Sequence, residues 1–312
     1  MLNELYRSKY DGSIVQAYCR FTRYSEQTVH GEELGILRLE DASDINSRII
    51  ANDDLDLIRT MTRPGLVEVM LRARPGGLHV YASLLSIREV SVDEIHNGAA
   101  LLPRDRCSQD AQTAFDTLLE FNESIPNPIL KFFLSRVLLD PAIGAPLMTA
   151  KASHGYHHAG SGGLLMHSTD LLKEAGDLAA KAFPDSPDAV TITQLGYLLH
   201  DLGKVVTHAL GAPQSDLRHE FVTIQLLGNH LAWLNRRYPE AANALQLILD
   251  HCAMPAKHRG IGKFLGADIV IWCDQLSTAR DHGSAWGQRL SRRAANDAGT
   301  SSHTALRSTV HG

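Results

Sequence analysis

Cysteine is scarce in this chain and never paired in sequence. Four cysteines, Cys19, Cys107, Cys252 and Cys273, are spread over 312 residues with no CxxC among them. A chain of this length folds without disulfide staples, so a disulfide scaffold is excluded and a reducing cytoplasm fits best. Long apolar runs are also missing. None approaches the roughly 18 residues that read as a membrane span, and the N-terminal MLNELYRSKYDG lacks a signal-peptide core. The expectation is a cytoplasmic protein with no membrane partner. Positive charge is the third shortage: 30 Lys and Arg stand against 35 Asp and Glu, a net charge of −5. No global basic field draws in nucleic acid, and any polyanion site must be a local patch. At 44% hydrophobic and 21% charged, with 24 Gly and 12 Pro, the composition excludes collagen-like and wholly disordered chains. The length suggests about two domains.

Histidine, by contrast, is concentrated. Ten of the 16 histidines fall between His154 and His258, and the chemistry is expected there. Residues 13 to 90 read mostly as strands. In the first, Val15, Ala17, Cys19 and Phe21 alternate with Gln16, Tyr18, Arg20, Thr22 and Tyr24, giving one buried and one wet face. Further strands are expected at 34–40, 44–50, 65–74 and 78–90, with a short helix from Asp53 to Met61. Three strands, a helix and two strands resemble an OB-fold barrel. Residues 91 to 110 are poorly patterned and read as a linker. Helices are expected near 111–124 and 128–139, and the pattern stays helical to about residue 282. The Ser, Ala and Arg rich tail from Gly283 reads as disordered. The fold class is therefore α+β and multidomain: an OB-like module (1–92), a linker with a connecting helix (93–127), a helical domain (128–282) and a tail (283–312).

His200 and Asp201 sit within the apolar run LLHDLGKVV, around which Leu195, Leu198, Leu199, Leu202, Val205 and Val206 form one helical stripe, with Tyr197, His200, Asp201, Lys204 and His208 opposite. That pattern suits a buried helix presenting ligands. Upstream, HGYHHAGSGGLLMH carries His154, His157 and His158 on a Gly-rich approach and His167 one turn into a helix. Downstream come His219 near a helix start, His251 near a helix end, and Asp274 inside an apolar helix, where a lone carboxylate is costly unless paired or metal-bound. The ordered set His167, His200-Asp201, His219, His251 and Asp274 resembles the HD superfamily of metal-dependent phosphohydrolases, over roughly residues 128 to 282. The resemblance implies an all-α HD domain in which His167, His200, Asp201 and Asp274 are the common metal ligands. His219 and His251 match the extra histidines of dinuclear members, in which Asp201 would bridge two ions. Imidazole with carboxylate suits Mn, Fe, Ni, Co or Zn, and paired ions can generate hydroxide and clamp a phosphodiester. Asp201 and Lys204 are the expected catalytic residues, with Lys204 reaching a phosphate oxygen as a point charge or else simply solvated.

An OB-like module ahead of such a domain is similar to bacterial OB-fold/HD 3′→5′ exoribonucleases, and GYHHAGSGGLLMH also resembles the HD domain of conjugative relaxases. The chain departs from the exonuclease pattern at DHCA, where Cys252 replaces a second histidine. The resemblance implies a metal-dependent phosphodiesterase acting on single-stranded RNA or DNA, in the 3′→5′ direction. A relaxase-like DNA-processing protein and a nucleotidase acting on small phosphate esters are the alternatives. His157 and His158 are expected to cap the helix or support ligands, or to contact the phosphate; Arg218 is open between a phosphate and a surface carboxylate. On the barrel, Tyr18, Arg20 and Tyr24 share a face that Arg38, Arg48, Arg72 and Arg74 could extend into a single-strand groove. Residues 1 to 90 nevertheless hold 13 acids against 11 bases, so the same face also suits docking or a homo-oligomer.

Overall fold

The computed structural model describes residues 12–29, 32–42, 47–51, 63–74, 81–155, 158–209, 211 and 216–279. The helix expected at 53–61, His157 and the tail from Gly283 lie outside the described residues, as do the side chains of Arg48 and Arg74. The fold is α+β, with five strands followed by a mostly helical region.

The strands are β1 (Ile14–Val29), β2 (Glu32–Glu40), β3 (Ser47–Ala51), β4 (Gly65–Arg74) and β5 (Tyr81–Glu89). They curl into a small barrel in the order β1-β2-β3-β5-β4. The 16-residue β1 makes the curl: its first half pairs with β4 and its second half with β2, both antiparallel. The ring closes through one parallel pair, Ile50 with Tyr81. Alternation does its expected work, since Val15, Ala17, Cys19 and Phe21 point inward to meet Leu37, Leu39, Val67, Val69 and Leu71. One outer-face assignment fails. A bulge between Phe21 and Arg23 inserts an extra residue, so Tyr24 lies opposite Leu37 and packs against the barrel core rather than beside Tyr18. Side chains swap faces whenever the register slips by one.

Residues 91–111 form a strap of four 3-10 turns, at Val92–Glu94, Ala99–Leu101, Arg104–Arg106 and Gln109–Ala111. Ala99, Leu102, Cys107 and Ala111 are buried in the same core as the helices. On its other side the strap holds the barrel. Ala42 N–H donates to Ala100 O at 2.8 Å, and Ile95 and Leu101 pack with Leu66 and Val90.

The helices are α1 (Gln112–Ser124), α2 (Pro128–Leu139), α3 (Gly144–Leu147), α4 (Gly163–Thr169), α5 (Leu172–Ala182), α6 (Pro187–Leu199), α7 (Lys204–Thr207), α8 (His219–Arg237), α9 (Pro239–Ala253) and α10 (265–279). Asn127 caps α2 by accepting from Ile129 N–H, with Pro128 at the first position. Ser186 and Pro187 open α6 in the same way. From Thr191 onward α6 is almost wholly buried, including Leu195, Tyr197, Leu198 and Leu199, and it runs through the middle of the helical core. All four cysteines are unpaired and buried. No helix among the described residues is long and apolar enough to cross a membrane.

Candidate metal centre

The HD pair sits where α6 stops. The helical period of LLHDLGKVV predicts an unbroken helix, but the structure ends α6 at Leu199, leaves His200 as its cap and turns through residues 201–203 before α7. The reason is the crossing of α8. A Cβ on Gly203 would stand 1.9 Å from His219 O and 2.7 Å from Thr223 N, so only glycine lets the start of α8 press onto this turn. Thr223 fastens the crossing: its hydroxyl accepts from Gly203 N–H at 2.7 Å and lies 3.1 Å from His200 O. His219, the first residue of α8, thereby comes to Asp201, with Nε2 3.1 Å from Oδ1.

Four helix ends and faces converge here. His167 on α4, His200 and Asp201 after α6, and Asp274 on α10 offer ligand atoms that all lie within 4.8 Å of one another. His167 Nε2 is 3.3 Å from both Asp201 Oδ2 and Asp274 Oδ1, and His200 Nε2 is 3.5 Å from the same two oxygens. His167, His200 and Asp201 are buried and Asp274 is partly exposed. Lys204 Nζ closes the group, 2.5 Å from Asp201 Oδ2.

This set could hold a metal ion. His200 Nδ1 lies 2.7 Å from Tyr197 O, an oxygen that can only accept, so Nδ1 carries the proton and the Nε2 lone pair faces the carboxylates. That buried Nε2 makes no hydrogen bond, an expensive arrangement unless a cation completes it. Without an ion, protons take its place. Burial works to lower the His167 imidazole, but the Asp201 and Asp274 carboxylates outweigh it and hold the group up at about 9. The His200 imidazole, fully buried, is raised by the same two carboxylates against its desolvation. Burial pushes Asp201 and Asp274 upward, yet the adjoining imidazoles, with Lys204 at Asp201, carry both below the ordinary carboxylate range.

These shifts fix the pH response of the metal-free protein. His167, raised from 6.5 to about 9, contributes stability that is full below its unfolded value and lost as pH climbs through 9. The depressed aspartates contribute stability that is present above their unfolded value of 3.8 and lost as pH falls through the lowered one. Melting temperature should therefore peak between about pH 4 and 6.5 and decline toward pH 9. Metal affinity should rise over that same upper interval, because the imidazoles must shed protons to ligate. Melts across pH with and without Mn would check both slopes, and a metal-free curve still rising from pH 6.5 to 9 would contradict the pairing.

The other expected residues are placed as follows. His251 is buried near the end of α9, but its Nε2 lies 3.4 Å from Asp268 Oδ1, outside the four-residue group. Cys252 beside it is buried, and its thiol is pushed up by desolvation. His158 has a left-handed backbone, φ 52°, and its ring centroid is 6.5 Å from that of His167. Arg218 is spent on structure, donating to Ala253 O at 2.8 Å with its guanidinium over the Phe221 ring. On the barrel, Tyr18 is exposed with its hydroxyl on Glu68, and Arg20 lies half-buried near Glu40 and Arg106. Two outer arginines face carboxylates, Arg38 at 3.2 Å from Glu40 and Arg88 at 2.5 and 2.8 Å from Glu68 and Glu94, while Arg72 is exposed.

Sequence reasoning missed several neighbours. His154 stacks on His208 at 4.2 Å, and His208 meets His219 edge-on at 6.1 Å. Desolvation, with His154, Lys204 and His219 nearby, lowers the His208 imidazole to about 4. Asp170, Ser277 and Tyr197 surround His167. Asp170 and Ser277 carry no signal in sequence beyond a spacing of three residues from a ligand, whereas Tyr197 already shares the helical face of His200 and Asp201. Comparison of the chain with protein-family models, curated proteins and solved structures finds no match.

Proposed function

We propose that this chain is a metal-dependent phosphodiesterase of the HD type that hydrolyses single-stranded nucleic acid, RNA or DNA, from the 3′ end. The observation that carries the proposal is the buried His167, His200, Asp201 and Asp274 group, with its imidazole lone pairs aimed at two carboxylates. A divalent transition ion held there would supply Lewis acidity and an activated water. Asp201 offers Oδ2 to this group and Oδ1 to His219, the disposition a bridging carboxylate needs for a second ion. Lys204 occupies the place beside Asp201 that a cation would claim. Released from that pair, its ammonium would be a positive charge beside the site for a phosphate oxygen. His158 and the His154–His208 stack are the nearby imidazoles that could orient a phosphate. The strand order β1-β2-β3-β5-β4 supports reading the barrel as OB-like, with Tyr18 as its exposed stacking ring.

The matched charges on the described barrel face favour a second reading, a nucleotidase in which the barrel docks a partner or a second copy. Incubating Mn-loaded protein with end-labelled single-stranded RNA, single-stranded DNA and mononucleotides separates the two. Shortening from the 3′ end supports the proposal; release of phosphate from mononucleotides alone transfers it to the nucleotidase. Lys204→Ala should keep its metal and lose about 10- to 1000-fold in turnover, and normal turnover in that variant would remove Lys204 from the chemistry.

A further inference from the structure

A polar residue stands three positions from each member of the metal group: Asp170 from His167, Tyr197 from His200, Lys204 from Asp201 and Ser277 from Asp274. Three of these residues meet around the His167 imidazole. Ser277 Oγ donates to Asp170 Oδ2 at 2.6 Å. Its single proton is therefore committed, and it accepts from His167 Nδ1–H at 3.1 Å. Tyr197 donates to Asp170 Oδ1 in a short hydrogen bond, and its hydroxyl also lies 3.0 Å from His167 O. Ser277 and Tyr197 are fully buried, so water does not compete for these bonds. The relay ties α4, α6 and α10 together at the one place where all three supply ligands.

We infer that Asp170 and Ser277, braced by Tyr197, are positioning residues that hold His167 with Nδ1 protonated and Nε2 turned toward the Asp201 and Asp274 carboxylates, where it would ligate a metal. The inference rests on the metal-centre reading above. A carboxylate acting through a hydroxyl on the far nitrogen of a histidine fixes the ring and raises the basicity of the ligating nitrogen. A relay that served folding alone would not need its polarity directed at that nitrogen.

The test is Mn(II) titration of the full chain, wild type against Ser277→Ala, Asp170→Asn and Tyr197→Phe, with melting temperatures measured with and without Mn. Ser277→Ala should weaken Mn affinity about 10- to 100-fold and shrink the Mn-induced rise in melting temperature. Asp170→Asn keeps an acceptor for Ser277 and should lose less. It also answers the question if the alanine variant does not fold. Tyr197→Phe should fall between the wild type and Ser277→Ala. If the wild type takes up Mn and the folded variants bind it within twofold of wild type, with only the metal-free melting temperature lowered, the relay is structural and the inference fails while the metal centre stands. If the wild type takes up none, both fall.

Discussion

On the proposed function, replacing Asp201 by asparagine should abolish metal uptake and hydrolysis while leaving the helices folded. The carboxylate is the hub of the site: Oδ2 faces His167, His200 and Lys204, and Oδ1 faces His219. Asparagine keeps the volume and one acceptor oxygen but removes the negative charge that an ion requires. Loss of a mere supporting residue costs a metal site about 10- to 100-fold in affinity, so loss of a central ligand should exceed about 100-fold. The fold should persist at a lower melting temperature, because the buried pairing of Asp201 is lost but no bulk is added and the Lys204 side chain, 13% exposed, can turn its ammonium to solvent. Elemental analysis after Mn loading, with circular dichroism as the folding control, decides the matter. Near-normal metal content and turnover in Asp201→Asn would remove this group as the active centre.

Gly203→Ala should be among the most damaging single-carbon additions near the site. The new methyl would collide with His219 O and Thr223 N, backbone atoms that cannot rotate away, so the start of α8 must lift. Overpacking of this kind costs about 1–3 kcal/mol, and the upper end is expected, which for a protein of this size lowers the melting temperature by about 5–10 °C. The displacement carries His219 from Asp201 and breaks the Thr223 bond to Gly203 N–H. Hydrolysis should fall more steeply than affinity for the first Mn, because His167, His200 and Asp274 sit on other elements. Gly211 is the control. It has φ +79°, yet nothing stands within 4 Å of its added Cβ, so alanine there meets backbone strain without collision. Equal melting temperatures for Gly203→Ala and wild type would show that α8 does not bear on the turn.

Much of the architecture was legible in the sequence, and the failures have physical causes. Strand alternation located β1 to β5 because an inward apolar face repeats every second residue. It misplaced Tyr24 because a bulge is set by the partner strand, and β1 carries no local mark of it. The helical period ran straight through His200 to His208 because a turn of three residues hardly disturbs it. Only the contact of Gly203 with α8 reveals the break. The strap escaped because successive 3-10 turns have no sustained period to detect. His167, His200, Asp201 and Asp274 stood out as ionisable residues in apolar helices. Ser277 did not, since a serine is ordinary until its hydroxyl is seen on Asp170, and Tyr197 was placed on the ligand face without its bond to Asp170. His251 was visible as a late buried histidine, but its partner Asp268 comes from another helix.

The strap also fixes where this chain can be recombined. Its inner residues belong to the helical core and its outer ones to the barrel seam, so it is shared property rather than a tether. A crossover at Val90 would hand a different barrel an intact dock. One at residue 100 would carry off Ile95, Ala99 and the bond from Gly98 N–H to Ser135 Oγ, leaving a hole against α2. Exchange of barrels among chains built this way is therefore confined to a seam only a few residues wide.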